Sequence, residues 1–198
     1  MINPGTPSPT DQQEYIMNLA LGYQVSQVLF AAVKMDVFTL LEEEAQTISG
    51  LSRTLQGDKS ALSRFMTVLL DIKLLEEKNG LFYNTDIASR HLVKGKKGYL
   101  GNSIHHSCNL WDFWENLDEP VKKGTPHIPD NDYLNDFPHR LEDYLSAMNN
   151  TAELKAAAIA DVISIQGFRN MLDIGCGPAT YALAFSQRNP DLHATLID

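Results

Sequence analysis

Residues 171–198 read MLDIGCGPATYALAFSQRNPDLHATLID, and this stretch decides the fold of the C-terminal part of the chain. A short apolar run at 171–174 leads directly into Gly175 and Gly177, and a helical pattern follows. A second apolar run occupies 194–197. The order predicts a buried strand, a glycine turn, a helix and a second buried strand, which is the first β-α-β unit of a Rossmann-like α/β domain.

Two glycines and two aspartates in this stretch predict a nucleoside site. Glycine has no Cβ, so the main chain at Gly175 and Gly177 can approach a ligand, and the helix that follows points free N–H groups toward it. Asp198 follows Asp173 by 25 residues, close to the separation of about 20 residues expected between a glycine turn and an acid that binds ribose hydroxyls. Thr180 replaces the third small residue that a dinucleotide-binding turn usually carries.

Composition narrows the class of protein. The 198 residues carry a net charge of −9, which opposes a main role in binding the phosphates of nucleic acid. Cys108 and Cys176 lie far apart, and no N-terminal segment resembles a signal peptide, so we expect a cytoplasmic protein. We identify no apolar run of about 20 residues and therefore expect no membrane partner. The scattered histidines predict no metal site.

The N-terminal half predicts a helical domain with a winged helix. Residues 1–10 hold three prolines and read as a disordered tail, and residues 11–34 are apolar on nearly all sides of a helix, which predicts burial on several sides. Helices near 47–55 and 58–70 precede two short strands around the Asn79-Gly80 turn. The second of these helices is largely apolar, so we expect it to pack on protein and not on DNA.

The middle of the chain predicts more helix, a loop and a long connecting helix. Residues 86–123 are mostly helical, and their tryptophans indicate core packing or, alternatively, an aromatic wall for a flat substrate. Prolines at 124–138 predict a loop. A helix follows from Tyr144 to about Ile165, ended by Gly167.

The glycine turn with its two acids, DxGxGxxT from Asp173 and then Asp198, resembles motif I of class I S-adenosylmethionine-dependent methyltransferases. The resemblance implies that Asp173 helps to hold the methionine end of the cofactor and that Gly175 and Gly177 line its flank. It also implies that Asp198 binds the ribose.

The order of segments from about Gln13 onward resembles small-molecule O-methyltransferases of the plant and bacterial type, which have an N-terminal dimerisation domain. The resemblance rests on the winged helix, an LWxxWxxL segment, a YLxAM helix and motif I. It implies a homodimer through Tyr15–Val33, a small aromatic or polyketide-like hydroxyl acceptor, and Tyr144 and Met148 beside the cofactor or acceptor. Relatives use a histidine base well downstream of motif I, so the catalytic residue is unknown and is expected beyond Asp198.

The predicted fold class is therefore mainly α, with a winged-helix-like dimerisation domain followed by an incomplete Rossmann-like domain. We divide the chain into a tail at 1–10, the dimerisation domain at 11–123, a loop and linking helix at 124–167, and the start of the cofactor domain at 168–198. Two strands are too few for a doubly wound sheet, so we expect a fragment that lacks about 100 to 150 residues and is inactive alone. The alternatives are a winged-helix regulator or ligand-binding protein without catalysis, and a nicotinamide-dependent oxidoreductase.

Overall fold

The computed structural model describes residues 9–125 and 138–198, and its backbone divides into two compact units at Ser89 and Arg90. Most of the predicted tail at 1–10 and of the predicted loop at 124–138 lies outside the described residues. The division at 89 and 90 differs from the boundary at 123 and 124 proposed from the sequence, because the helix that follows residue 100 packs along the long helix that begins at Pro138.

The first unit has the predicted winged-helix order. It contains α1 (Pro9–Lys34), α2 (Val37–Glu43), α3 (Ile48–Thr54), α4 (Lys59–Asp71), β1 (Leu75–Lys78) and β2 (Leu81–Asn84). The next helix, α5 (Asp86–His91), begins in this unit and ends two residues after its last residue, Ser89. β1 and β2 pair antiparallel. Asn79 and Gly80 between them both have positive φ, at 55° and 78°, as a two-residue hairpin turn requires.

Local capping explains where the winged-helix elements begin. The Thr47 hydroxyl accepts a hydrogen bond from the Gly50 N–H at the start of α3, and the Asp58 carboxylate accepts one from the Ala61 N–H at the start of α4. Each cap satisfies a backbone donor that the first helical turn leaves unpaired. Helix α4 then buries Leu62, Met66 and Leu69, as its apolar pattern predicts. The core of this unit also includes Val37, Phe38 and Leu51.

Helix α1 departs from the predicted burial. Its C-terminal residues Ala32 and Val33 are buried, whereas Tyr15 and Leu19 are 62% and 64% exposed. The expectation of burial on several sides is wrong for the single chain, because α1 extends beyond the elements of its own unit that could cover it. By length and composition the segment Asp11–Lys34 is also apolar enough to cross a membrane, contrary to the sequence expectation. One such helix is weak evidence, and the cytoplasmic location stays a prediction.

The second unit contains helices and a small parallel sheet. Its elements are α6 (Gly101–Asn109), α7 (Trp111–Glu115), α8 (Asp118–Lys123), α9 (Pro138–Val162), β3 (Asn170–Ile174), α10 (Thr180–Arg188) and β4 (His193–Ile197). α9 begins earlier than predicted and ends at Val162, before Ile165. Gly167, expected to end this helix, instead has φ +89° in a separate turn just before β3.

The aromatic segment does not form the predicted core. Trp114 is 66% exposed, and Leu117 is exposed as well. The helical pattern that would align them breaks between α7 and α8, where Asn116 and Leu117 form a turn. The core interpretation of Trp114 is therefore wrong in this chain, because the break removes the continuous helical face on which the prediction depended.

The strands β3 and β4 pair in parallel, with Asn170 opposite His193 and Ile174 opposite Ile197. The expected burial of these strands is wrong for the described chain, since Ile174 is 72% exposed and Leu196 and Ile197 are exposed too. A two-stranded parallel sheet with one crossover helix leaves apolar side chains uncovered, whereas parallel sheets ordinarily have both faces covered.

Candidate functional site

The loop between β3 and α10 has a backbone conformation that explains its glycines. Gly175 and Gly177 have φ values of +71° and +48°. This left-handed region is open to glycine but costs other L-residues about 1–2 kcal/mol. Ala179, the residue before α10, also has a positive φ of 57°, so it occupies this region without the freedom of glycine. The chain thus turns sharply three times in five residues.

Hydrogen bonds hold this loop against the end of β4. The Gly175 N–H and the Cys176 N–H both donate to the carbonyl oxygen of Ile197, at 2.7 and 3.2 Å. The Gly177 N–H donates to the Oδ2 carboxylate oxygen of Asp198. The parallel register brings the carboxyl ends of both strands to one edge, and these bonds place Asp198 directly beside the glycine loop.

All six residues predicted for the cofactor site line one open cavity of about 880 Å³. They are Tyr144, Met148, Asp173, Gly175, Gly177 and Asp198. The cavity therefore brings together the two acids, the glycine loop and one face of α9, which are distant in sequence. No comparison tests the roles of these residues, which stay predictions.

The sequence interpretation missed other residues of the cavity wall. On α9 the missed residues follow the spacing of one helical face, and this spacing was a signal available in the sequence. They are Leu141, Leu145, Thr151 and Ala152. From the loop and the start of α10 come Cys176, Pro178, Thr180 and Tyr181, of which Thr180 was considered only as a variation in the glycine pattern.

Helix α6 packs against α9, whose residues form one wall of the cavity. The ring of His106 lies 5.4 Å from the ring of Tyr144 in an edge-on arrangement, and the Asn109 Nδ2 group donates to the Asp143 carboxylate at 2.8 Å. Edge-on pairs of rings restrict each other's orientation. The Tyr144 ring is therefore held at the cavity while the side chain remains partly exposed.

The residues of the cavity fit an adenosyl ligand. A Cβ at Gly175 would meet no atom within 4 Å, and one at Gly177 would approach the Asp198 carboxylate at 3.8 Å, so both glycines leave open space at the loop. Asp173 and Asp198 offer carboxylate oxygens, which accept hydrogen bonds from hydroxyl and amino groups. Across residues 9–125 and 138–198 the structure contains no cluster of three His, Cys, Asp or Glu side chains suited to a metal ion.

The second unit thus contains a β-α-β fold with a glycine turn, and a cavity lined by Asp173 within β3 and by Asp198 directly after β4. Comparison with known proteins finds similarity to methyltransferases. Residues 17–94 match the family model described as the O-methyltransferase dimerisation domain. This part of the chain is therefore similar to the dimerisation domain of O-methyltransferases.

Individual relatives extend the similarity beyond residue 94. The chain is 26% identical over 198 residues to the 3-hydroxy-5-methyl-1-naphthoate 3-O-methyltransferase of Streptomyces sahachiroi, covering 98% of this chain and 57% of the relative. It is 24% identical to the tetracenomycin polyketide synthesis 8-O-methyl transferase TcmO of Streptomyces glaucescens, covering 92% and 56%. Human N-acetylserotonin methyltransferase, solved in complex with SAM, has the same fold at a TM-score of 0.81, with 18% identity and coverage of 99% and 60%.

The chain therefore spans a little over half the length of the curated relatives it matches. The two Streptomyces relatives are named as O-methyltransferases, and the human methyltransferase solved with SAM has the same fold over the shared part.

Proposed function

We propose that the protein containing this chain is an S-adenosylmethionine-dependent O-methyltransferase, and that the cavity at the β3–α10 loop holds its cofactor. The observation that carries the proposal is the convergence of Asp173, Asp198 and the glycine loop on one cavity. Similarity to the two Streptomyces relatives supports the transferase activity, because their names describe O-methyl transfer. A nicotinamide cofactor is less well supported, because the matched family is one of methyltransferases.

Each residue has a distinct part in holding the cofactor. Asp198 already accepts the Gly177 N–H on Oδ2, so Oδ1 is the oxygen we assign to the ribose hydroxyls. Asp173 lines the same cavity, and its carboxylate would accept a hydrogen bond from the amino group at the methionine end of the cofactor. Gly175 and Gly177 let the loop backbone contact the ligand, while Tyr144 and Met148 provide apolar surface from α9.

When bound, S-adenosylmethionine supplies a methyl group on a positively charged sulfur, which an acceptor oxygen takes by in-line displacement. The residues of this chain contribute by orientation, since fixing two reactants in line removes much of the entropic barrier. Two carboxylates at the cavity also favour a cationic ligand. We assign no general base to the described residues, and the catalytic residue stays unassigned.

We propose a small aromatic hydroxyl compound, including polyketide-derived ones, as the acceptor. The naphthoate and tetracenomycin named for two relatives support this class. The apolar face of α9, with Leu141, Leu145 and Met148, is suited to contact a flat apolar molecule at the cavity.

We also propose that the protein forms a homodimer through α1. The match of residues 17–94 to a dimerisation domain supports this assembly. The exposed apolar residues of α1 agree with it, because contiguous apolar surface of this kind ordinarily marks an interface. Tyr15, Leu19 and Tyr23 follow one another at intervals of four residues and form such a face.

Calorimetric titration of the full-length protein containing this chain with S-adenosylhomocysteine tests the cofactor proposal. We expect binding, weakened by about tenfold or more in Asp198→Asn, because a hydrogen bond to a charged group contributes about 1.5–3 kcal/mol. The matched control is Asp191→Asn, an exposed aspartate in the turn before β4 that does not line the cavity, and it should bind as the unaltered chain does. Absence of binding at millimolar ligand, or binding of NAD instead, would overturn the proposal.

A further inference from the structure

Thr180 is a buried polar residue at the edge of the cofactor cavity. Its side chain is 9% exposed, and it is the first residue of α10, immediately after the glycine loop. Burying a hydroxyl costs free energy unless the group finds a hydrogen-bond partner. The partner that Thr180 has found is therefore informative about what the residue does.

The Thr180 hydroxyl donates to the Oδ1 amide oxygen of Asn149 at 2.6 Å, across 31 residues of sequence. A threonine at the start of a helix commonly caps it through its side-chain oxygen, which accepts a backbone N–H of the first turn. Here the N-cap residue is Ala179, which has no capping side chain, and the Thr180 hydroxyl is used for a contact with α9 instead. The Thr180 side chain therefore makes a tertiary contact with α9 and does not cap its own helix.

This hydrogen bond joins the two walls of the cavity. Asn149 directly follows Met148, which lines the cavity from α9, and Thr180 lines the cavity itself, two residues after Pro178 of the loop. Farther from the cavity, α9 and α10 meet through the small residues Ala156, Ala160 and Ala184, which pack with Phe185. Small apolar contacts permit close approach but do not define a register, whereas a directional hydrogen bond does.

A second polar contact lies at the other end of the same helix pair. The Arg188 Nε group lies 2.6 Å from the Asp161 carboxylate, and both side chains are substantially exposed. Exposed ion pairs contribute little to stability and are screened by salt. This pair therefore provides a matched control, because it joins the same two helices but does not border the cofactor cavity.

We propose that Asn149 and Thr180 form a positioning pair that sets the distance between the α9 wall and the glycine loop, and thereby the affinity for the adenosyl cofactor. The inference rests on the cofactor site proposed above. The pair does not touch the reacting atoms; it acts by holding Met148 and residues 175–179 in register.

The test compares Thr180→Val, Thr180→Ser and Arg188→Gln. Valine keeps the shape of threonine but removes the hydroxyl, so we expect S-adenosylhomocysteine to bind about tenfold more weakly, the effect of one lost buried hydrogen bond. Serine keeps the hydroxyl and should restore the affinity. Arg188→Gln should lower the melting temperature slightly while leaving the dissociation constant within about twofold.

Amide hydrogen exchange in the ligand-free chain gives a second, independent readout. Exchange at residues 175–179 should accelerate in Thr180→Val, return to normal in Thr180→Ser and remain unchanged in Arg188→Gln. Asn149→Ala should add no further effect to Thr180→Val, since both remove the same bond. Unchanged exchange in Thr180→Val overturns the positioning pair. Failure of the unaltered full-length protein to bind cofactor overturns the proposed function, and the exchange result then decides the pair.

Discussion

The Gly177 N–H donates a hydrogen bond to the Asp198 carboxylate, joining the glycine loop to the end of β4 across 21 residues of sequence. Asp198 also lines the cavity. In the function proposed above, the aspartate therefore has two separable tasks, which are to hold the loop and to bind the nucleoside.

The first prediction separates these tasks at Asp198. Asparagine keeps a side-chain oxygen that can accept the Gly177 N–H, whereas alanine removes it. Exchange of the Gly177 amide should therefore accelerate by about tenfold in Asp198→Ala, for a lost bond of about 1.5 kcal/mol, and much less in Asp198→Asn. Equal exchange rates in the two variants, measured by NMR, would show that the carboxylate does not hold the loop.

The second prediction concerns the backbone of the loop. Gly175→Ala should lower the free energy of unfolding by about 1–2 kcal/mol, because an L-residue is strained at its φ of +71° even though a Cβ there meets no neighbour within 4 Å. Ala179→Gly should have the opposite sign, stabilising by up to about 1 kcal/mol, since relief of strain exceeds the entropy that glycine adds to the unfolded chain.

Urea unfolding of the two single variants measures this difference. Destabilisation by Ala179→Gly of the same size as that of Gly175→Ala would contradict the positive φ assigned to Ala179. An equal m-value in all three proteins is the control that the unfolded states are comparable.

The third prediction concerns the Asp161–Arg188 ion pair and pH. The hydrogen bond from Arg188 holds the pKa of the Asp161 carboxyl below its usual 3.8, against a smaller opposing effect of desolvation. A carboxyl with a lowered folded-state pKa contributes stability that is present above its unfolded pKa and is lost as the pH falls through the folded value. The contribution should therefore be complete near neutral pH, begin to fall below about pH 3.8 and decrease further as the pH falls through the lower folded-state pKa.

Thermal unfolding of the unaltered chain and of Arg188→Gln, each measured at neutral pH and in acid, checks this pH dependence. The melting temperatures should differ slightly at neutral pH and converge in acid, and added salt at neutral pH should also reduce the difference. A difference that grows as the pH falls would exclude the ion pair as its source.

The fourth prediction concerns assembly through α1. Leu19 is 64% exposed on the apolar face of this helix, so Leu19→Glu should place a charge in the proposed dimer interface and shift the protein to monomer. Val121→Glu is the matched control, because Val121 is 73% exposed on α8 and a charge there should leave the dimer intact. Sedimentation velocity at micromolar concentration distinguishes the two.

Much of the local structure was readable from the sequence because its causes are local. Asn79-Gly80 supplies the positive φ angles of the wing, and Asp58 caps α4 through a residue three positions away. The glycine turn between two apolar runs indicated the β-α-β unit, which the structure contains. Each of these features depends on residues that are neighbours in the chain.

The errors share a different cause. Trp114 was expected in a core because helical spacing was assumed to continue, but the turn at Asn116 and Leu117 redirects the chain. Burial of α1 and of β3 with β4 depends on which elements cover a surface. An apolar pattern indicates that a surface is suited to burial, but it does not identify which element buries it.

By itself the sequence determined the order of helices and strands, the glycine turn and the presence of an acid at the carboxyl end of each strand of the β-α-β unit, since these follow from backbone preferences and short-range hydrogen bonds. Only the tertiary structure decided that Asp173, Asp198 and the α9 face share one cavity, and that the Thr180 hydroxyl reaches Asn149. The contact between Thr180 and Asn149 spans 31 residues and depends on how α9 packs against α10, and that packing is a property of the assembled unit.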